Sequence, residues 1–199
     1  MALEEGKIYH IYNRGINGCA LFTKEAHYER FLQSYQKHCS PAFDMYAYAL
    51  MGNHFHLLVK VKDSLPTVDD LYPHLPQGTP KGQKSIKAHK QLGHCLNAYA
   101  QYFNRSTQRT GNLFESSFKR KEVLNNAYFT QTIVYIHHNP IKHGFANDLL
   151  DYPYTSYQAI QTQQQGFIDI PAVFKRFGGL SGFLQSHQLP VKCEAEWEG

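Results

Sequence analysis

Alternation of apolar and polar positions marks out four strands along the chain. Short stretches rich in β-branched and aromatic residues occur at residues 7–13, 44–50, 54–61 and 118–124, and this pattern predicts strands. A tight turn at residues 52–53 joins the second stretch to the third, which indicates a β-hairpin.

Between the strands, apolar residues recur at helical spacing. This periodicity predicts helices at residues 25–38 and 85–104, and a third at residues 126–138 that is capped by Asn126 and stopped by Pro140. The order βαββαβ, followed by a helix, is typical of an α+β fold with a ferredoxin-like antiparallel sheet. We expect its helices on one face and an added helix after the last strand.

The remaining residues divide into a loop and an extension. Residues 63–83 contain four prolines and are interpreted as a Pro-rich loop or insertion with one short helical turn. Residues 1–160 are expected to form one domain. Residues 161–199 would be a C-terminal extension, helical near residues 172–186 and then flexible.

Composition narrows the class of protein. The chain has 199 residues, of which 42% are hydrophobic and 18% charged, and these values exclude a disordered chain. No apolar run is long enough to span a bilayer, and the N-terminal residues lack the apolar stretch of a secretory signal. Four cysteines without a CxxC pair are too sparse for a disulfide scaffold. We therefore expect a cytoplasmic protein that does not contact a membrane.

Positive charge is concentrated in one block. The formal net charge is only +4, yet residues 81–121 hold nine lysine and arginine residues against one glutamate. Such a block is typical of a protein that binds a polyanion such as nucleic acid. A solvated helix face explains the same charge equally well, so charge alone leaves both interpretations open.

Two histidines in the third predicted strand are candidate metal ligands. Because side chains alternate along a strand, His54 and His56 share one face while Phe55 points to the other. Two neutral imidazoles on one face of a rigid strand can bind a divalent metal. The alternative is a pair of surface histidines, and the apolar residues that surround this pair argue against it.

The last helix of the βαββαβα order supplies a second candidate group. Tyr135 and Asn139 are four residues apart, so they share one side of a helix that could set both beside the histidines, with the Asn139 oxygen as a third metal ligand. The pKa of a free tyrosine is about 10, so a tyrosine nucleophile needs a neighbouring cation or base. A buried structural tyrosine is the alternative, and spacing alone does not select Tyr135 among fourteen tyrosines.

Five stretches of the chain form a signature when taken together. They are YHIYNRG (9–15), ALMGNHFHLLVK (49–60), GNLFESSFKRKEV (111–123), YIHHNPIKHG (135–144) and YPYTSY (152–157). In this order they resemble the single-tyrosine HUH transposases, in particular the branch of REP-associated tyrosine transposases. Each stretch is weak by itself, but their combination over residues 7–160 is specific.

The resemblance implies a metal-dependent enzyme that cleaves single-stranded DNA next to a folded hairpin. His54 and His56 would be metal ligands, Asn139 would complete the metal site, and Tyr135 would attack the phosphate to form a 5′-phosphotyrosine link and a free 3′-OH. Mg²⁺ or Mn²⁺ is the expected metal, since phosphate oxygens favour hard cations. The wider class includes dimers that exchange the tyrosine helix, so a monomer and a homodimer both remain open.

Contacts to DNA are expected at two places. Asn13 and Arg14 belong to the YNRG segment, and Lys119, Arg120 and Lys121 lie on the fourth predicted strand, where they could hold the DNA backbone.

Two positions depart from the family pattern. Glu115 and Ser117 stand where the family commonly has a glutamine and an arginine, so the DNA target remains open.

Three further histidines follow Tyr135. His137, His138 and His143 are interpreted as helix-surface and loop residues rather than as a second metal cluster, because adjacent residues on a helix diverge by ~100°.

Three other functions remain open at this point. The chain could be a domesticated DNA-hairpin-binding protein without turnover, a nicking protein of replication or plasmid transfer, or an RNA-binding ferredoxin-like module. The short chain and the single candidate tyrosine argue against the second. The third would normally present aromatic residues where this strand presents His-x-His.

Overall fold

The computed structural model describes residues 2–74, 78, 80–115 and 117–189. Its strands and helices, in chain order, are β1 (Ile8–Arg14), α1 (Glu25–His38), β2 (Phe43–Met51), β3 (His54–Val61), α2 (Val68–Leu71), α3 (Ala88–Ser106), β4 (Lys119–Glu122), α4 (Asn126–Lys142), α5 (Tyr157–Gln161), α6 (Ile170–Phe177) and α7 (Leu180–Gln188). A short 3₁₀ turn follows β1.

The four strands form one antiparallel sheet in the order β2-β3-β1-β4. The hairpin of β2 and β3 therefore lies beside β1, and β4 pairs with the other side of β1. This is the ferredoxin-like arrangement, and it confirms the α+β fold that the element order predicts. The two central strands, β1 and β3, are in a register that pairs Tyr12 with His56 and Arg14 with His54.

One face of the sheet packs against α1 and α3. Alternate residues of the strands point to this face, where they meet the apolar stripe of each helix. Fully buried members of this core include Ile11, Phe31, Phe55, Leu57, Cys95 and Tyr99. Burial of each large apolar side chain contributes about 1.5–3 kcal/mol relative to exposure, so this core holds both helices to the sheet.

The added helix α4 lies on the opposite face and packs on β2 and β3. With α6 and α7 it encloses a second core, whose buried members include Leu58, Phe129, Ile133, Ile136, Val173 and Phe183. The residues of β1 and β3 that point to this face at the end nearest the β2–β3 turn are polar, and they leave an open cleft there.

The bounds of α4 differ from the prediction at both ends. Asn125, not Asn126, caps the helix, since its side-chain oxygen accepts a hydrogen bond from the Tyr128 amide at 2.9 Å. The helix also continues through Pro140 to Lys142. Proline removes one helical hydrogen bond, but the amide of His143 donates to the Asn139 carbonyl at 3.0 Å and closes the last turn across the proline.

The C-terminal region contains two helices where the sequence pattern predicts one near residues 172–186. α6 and α7 are separated by Gly178 and Gly179, whose φ angles are +75° and +101°. A left-handed glycine after the last helical residue is a common way to end a helix. The expected flexible end of the chain, beyond residue 189, lies outside the described residues.

The structure also tests the predictions for the Pro-rich stretch and for membrane-spanning segments. The Pro-rich stretch contains one helical turn, α2, which is capped by Thr67. None of the helices in the described ranges is long and apolar enough to cross a membrane.

Candidate active site

A cleft of about 300 Å³ opens on the α4 side of the sheet, at the end of β3 nearest the β2–β3 turn. The residues around it come from β1, β3, β4, α4 and three connecting segments: Tyr12, Asn13, Arg14, Asn53, His54, Phe55, His56, Glu115, Lys119, Tyr135 and His143. Six of the nine residues that the sequence singles out therefore line one cavity.

Strand geometry places the two candidate metal-binding histidines on one face of β3. In β3, His54 and His56 point toward the cleft, while Phe55 belongs to the core on the other face. Their ring centroids are 5.4 Å apart at an angle of 84°. The predicted shared face is therefore present.

Each of these imidazoles is oriented through its Nδ1 atom. Nδ1 of His56 is 2.9 Å from Nε2 of His10, and Nδ1 of His54 is 2.7 Å from Oδ1 of Asn53. Because Nδ1 is used in both rings, Nε2 is the nitrogen through which each could bind a cation. A hydrogen bond of this kind fixes the tautomer and orientation of a metal-binding histidine.

Burial keeps these imidazoles neutral. Removal from water lowers the pKa of His10 to about 3 and that of His54 to about 4. It also holds the pKa of His56 well below the ordinary value, with smaller contributions from the neighbouring histidines. A neutral imidazole is the form that binds a metal.

Tyr135 reaches the same cleft from α4. Its ring centroid lies 5.7 Å from that of His56 and 6.0 Å from that of His10, edge-on in both cases. Only 4% of its surface is exposed. A second tyrosine, Tyr12, lines the cleft from β1, with its ring stacked 5.6 Å from His56. The structure thus brings the predicted nucleophile and the predicted metal ligands together, although they are some eighty residues apart.

Asn139 lies one helical turn beyond Tyr135 and is fully buried. Its Nδ2 donates to the Tyr135 carbonyl at 3.2 Å, while its Oδ1 has no hydrogen-bond partner among the described residues. A buried oxygen without a partner is costly, and it is the atom that would complete a metal site.

The donor set fits a hard divalent cation only if an amide oxygen takes part. Within the described ranges, no group of three or more His, Cys, Asp or Glu side chains is arranged to hold a metal ion. Two neutral imidazoles with the Oδ1 of Asn139 are therefore the set to consider: the amide oxygen suits Mg²⁺ and Mn²⁺, and the imidazole nitrogens suit divalent metals of the first transition row.

The C-terminal end of β1 carries two of the candidate contacts to nucleic acid. Asn13 is buried, and its Oδ1 accepts a hydrogen bond from the Arg14 amide at 2.8 Å. The exposed guanidinium of Arg14 forms an ion pair with Glu115, with Nε 3.1 Å from Oε1. The departure from the family pattern at Glu115 thus places a carboxylate inside the cleft, whereas Ser117 is exposed outside it.

The side chains of the three basic residues of β4 do not lie on one face of the sheet. Lys119 and Lys121 pair with Tyr12 and His10 of β1, and Lys119 lines the cleft. Arg120, between them, points to the other face, where its guanidinium lies 5.6 Å from the ring of Phe118. Strand alternation therefore separates Arg120 from the cleft.

Sequence reasoning did not identify His10 as part of the site. It sits on β1 with period two relative to Tyr12 and Arg14, so strand alternation placed it on the face that carries the cleft. Alternation along β1 is therefore the sequence signal that could have identified His10.

The expectation that His137, His138 and His143 are surface and loop residues is wrong for His137 and incomplete for His143. His137 is 1% exposed and forms buried hydrogen bonds to His187 and Ser156. His143 is exposed, but it lines the cleft with its ring 5.0 Å from that of His54. Both positions depend on long-range packing, which spacing along α4 does not reveal.

Comparison with known proteins supplies one sequence relative and several structural neighbours. No family model matches the chain. A REP-associated tyrosine transposase from Haemophilus influenzae is 25% identical over 130 residues, which cover 64% of this chain and 66% of the relative. The chain thus spans slightly less than two thirds of that protein.

The structural comparison agrees in fold. A REP-associated tyrosine transposase solved with a bound REP hairpin superposes with a TM-score of 0.56 at 13% identity, over 85% of this chain and 87% of the other. A bacterial tRNA(His) guanylyltransferase-like protein in complex with ATP has a TM-score of 0.41 at 11% identity, over 71% of this chain and 61% of the other. The sequence relative and the shared fold confirm that the chain resembles the REP-associated tyrosine transposases, as its motifs predict.

Proposed function

We propose that this protein is a transposase-like enzyme that nicks and rejoins single-stranded DNA next to a hairpin, with Tyr135 as the nucleophile. One observation carries the proposal: Tyr135, from α4, faces His54 and His56, from β3, across a single cleft with a partly basic wall. The names of the relative and of the hairpin-bound structural neighbour support the same chemistry.

The reaction transfers a phosphodiester from one oxygen to another. The Tyr135 oxygen forms a bond to phosphorus, the bond from phosphorus to the 3′ oxygen breaks, and the tyrosine loses a proton while the leaving 3′ oxygen gains one. The product is a 5′-phosphotyrosine link and a free 3′-OH. The phosphotyrosine keeps the bond energy, so the reverse reaction rejoins the strand without a nucleotide cofactor.

His54, His56 and Asn139 are the residues that would hold a divalent metal. Mg²⁺ or Mn²⁺ bound there would withdraw negative charge from the phosphate. The contacts of His56 with His10 and of His54 with Asn53 hold both imidazoles in fixed orientations.

The walls of the cleft would position the DNA strand. Lys119 and Arg14 can contact phosphate oxygens, which fixes the strand without reading its sequence. The ion pair with Glu115 neutralises part of the Arg14 charge, and this weakens the attraction of Arg14 for a phosphate. Aromatic rings such as that of Tyr12 offer a surface on which an unpaired base can stack.

A covalent-trapping experiment tests the proposal. Labelled single-stranded oligonucleotides containing the hairpins that flank the gene are incubated with Mn²⁺ or Mg²⁺ and separated on a denaturing gel. We expect a protein-linked band with the wild type and with Tyr12→Phe, the matched control from the same cleft. Tyr135→Phe should lower the band at least about 1,000-fold, since the covalent route is lost.

Two outcomes would contradict this assignment. A band that persists in Tyr135→Phe and disappears in Tyr12→Phe would transfer the role to Tyr12. Tight hairpin binding without any band, with both metals, would favour the second candidate, a domesticated hairpin-binding protein without turnover. Tyr135 is only 4% exposed, and this low exposure is the observation that favours the second candidate.

A further inference from the structure

The continuation of α4 past Pro140 places one more charged group beside Tyr135. Lys142 lies seven residues beyond Tyr135 and three beyond Asn139, so the three share one side of the helix. Its Nζ is 5.9 Å from the centroid of the Tyr135 ring. A helix that ended before Pro140 would not fix Lys142 at this position.

The ammonium group also acts on the histidine side of the cleft. Its charge is one of those that lower the pKa of His56, after burial and the neighbouring histidines. Lys142 is therefore within electrostatic range of both the proposed nucleophile and a proposed metal ligand. Its side chain is exposed, so Nζ can reach a substrate without loss of core packing.

The chemistry calls for a cation at this point. As a tyrosine oxygen approaches a phosphodiester, negative charge builds up on the nucleophile and on the nonbridging phosphate oxygens. Arg14, the cleft's guanidinium, is held by Glu115 at 3.1 Å. Lys119 approaches from β4, on the wall formed by the strands. Lys142 is on the same helix as the nucleophile.

We propose that Lys142 is a second catalytic residue: its ammonium contacts a nonbridging oxygen of the scissile phosphate while Tyr135 attacks. The inference rests on the proposed function and assigns a role within it. Bonds are made and broken as in the transfer above, and Lys142 keeps its proton throughout. Because the rejoining reaction passes through the same transition state, Lys142 accelerates both directions equally.

The test separates the rate of transfer from the binding of DNA. Single-turnover adduct formation and rejoining are measured at saturating hairpin oligonucleotide, and Kd is measured on the same oligonucleotide. We expect Lys142→Met to slow both rates about 100-fold, with Kd changed by less than about 3-fold and the equilibrium fraction of adduct unchanged. Lys142→Arg should restore the rate to within about 10-fold, because it keeps the charge.

Lys175→Met is the control, since Lys175 is an exposed lysine in the last turn of α6, away from the cleft. It should react at the wild-type rate. Lys142→Met rates equal to the wild type at saturation would overturn the inference. A weaker Kd with an unchanged saturating rate would also overturn it, since Lys142 would then only hold the DNA backbone.

Failure of the proposed function gives a different pattern. If the wild type binds the hairpin but forms no adduct with either metal, the proposed nicking function is refuted, and the proposed role of Lys142 is refuted with it. If the wild type reacts and only the prediction for Lys142→Met fails, the nicking function stands.

Discussion

Two pairs of buried histidines lie on the same side of the sheet, and they differ in what their nitrogens do. His10 and His56 meet beside the cleft at 2.9 Å, and His137 and His187 meet in the second core at 2.8 Å. Each pair stacks with ring centroids 5.0 Å apart. Burial lowers the pKa of all four side chains.

The pair in the second core forms a closed chain of hydrogen bonds. The Phe183 carbonyl only accepts, so Nδ1 of His187 donates to it at 2.7 Å, and Nε2 of His187 accepts from Nδ1 of His137. Nε2 of His137 then accepts from Ser156 Oγ at 2.7 Å, and Ser156 Oγ accepts from the Tyr48 amide at 2.9 Å. Every ring nitrogen has a partner, so this pair ties α4 to α7 and β2.

The pair at the cleft differs because one of its ring nitrogens is left for a ligand. Nδ1 of His56 is occupied by His10, while Nε2 remains as a possible ligand atom on the cleft side. Burial and a lowered pKa therefore do not distinguish a binding site from a structural network. The ring nitrogens that remain for a ligand make that distinction.

Removal of His56, the member of the cleft pair with a ring nitrogen left for a ligand, has the largest expected effect. His56→Ala should lower metal-dependent DNA cleavage at least about 100-fold, since loss of even an outer partner of a metal ligand typically costs 10–100-fold. Cleavage is measured by the trapping assay, on protein shown to be folded by circular dichroism. His143→Ala, in the same cleft but outside the proposed ligand set, should stay within a few-fold of the wild type, and equal activity of both variants would refute the assignment.

The second prediction concerns the closed pair. His137→Ala should lower the free energy of unfolding by about 3 kcal/mol, because it removes the buried hydrogen-bond partner of His187 Nε2 and of Ser156 Oγ and opens a cavity. Urea denaturation measures this change. His138→Ala is the neighbouring control. The half-buried His138 ring donates from Nδ1 to the Val134 carbonyl at 2.9 Å and stacks 5.9 Å from His187, and its loss should cost less than about 1 kcal/mol. Equal losses for the two would mean that the network contributes little to stability.

The third effect is on the pH dependence of stability, and near neutral pH it is the smallest of the three. The folded pKa of His187 is lowered to about 4, mainly by burial, and lies below its ordinary value of 6.5. The unfolded chain therefore takes up a proton first as pH falls from about 6.5 to about 4. The contribution of His187 is complete above this range and is lost through it, at up to about 1.4 kcal/mol per pH unit.

Replacement of His187 checks this sign. The unfolding free energy of His187→Gln, followed by urea denaturation between pH 4 and pH 7, should fall less steeply with acid than that of the wild type. Parallel curves would show that His187 takes up its proton in the folded state as readily as in the unfolded chain.

Most of the fold follows from local patterns. The bounds of α1 and β3 match the prediction residue for residue, because each has a clear periodicity and a Pro or Gly at its end. The predicted end of α4 is wrong because a proline in the last turn does not stop a helix whose later amides can still reach carbonyls across it. The choice between Asn125 and Asn126 as cap depends on Arg176, whose carbonyl accepts from Nδ2 of Asn126 at 3.1 Å.

The candidate site was predicted in part. Period two along β3 was enough to place His54 and His56 on one face, and the family resemblance was needed to select Tyr135. The partnership of His10 with His56 joins residues 46 positions apart, and that of His137 with His187 joins residues 50 apart. Contacts of this kind depend on strand register and helix packing, which a single sequence does not display.

The proposed function requires that Tyr135 becomes covalently linked to DNA. The most direct measurement is to trap the wild-type protein on a hairpin oligonucleotide with Mn²⁺, digest both components, and locate the remaining nucleotide by mass spectrometry. We expect a nucleotide joined through its 5′-phosphate to Tyr135, on the peptide that also contains Asn139. The same mass on Tyr12, or a trapped complex with no modified tyrosine, would contradict it.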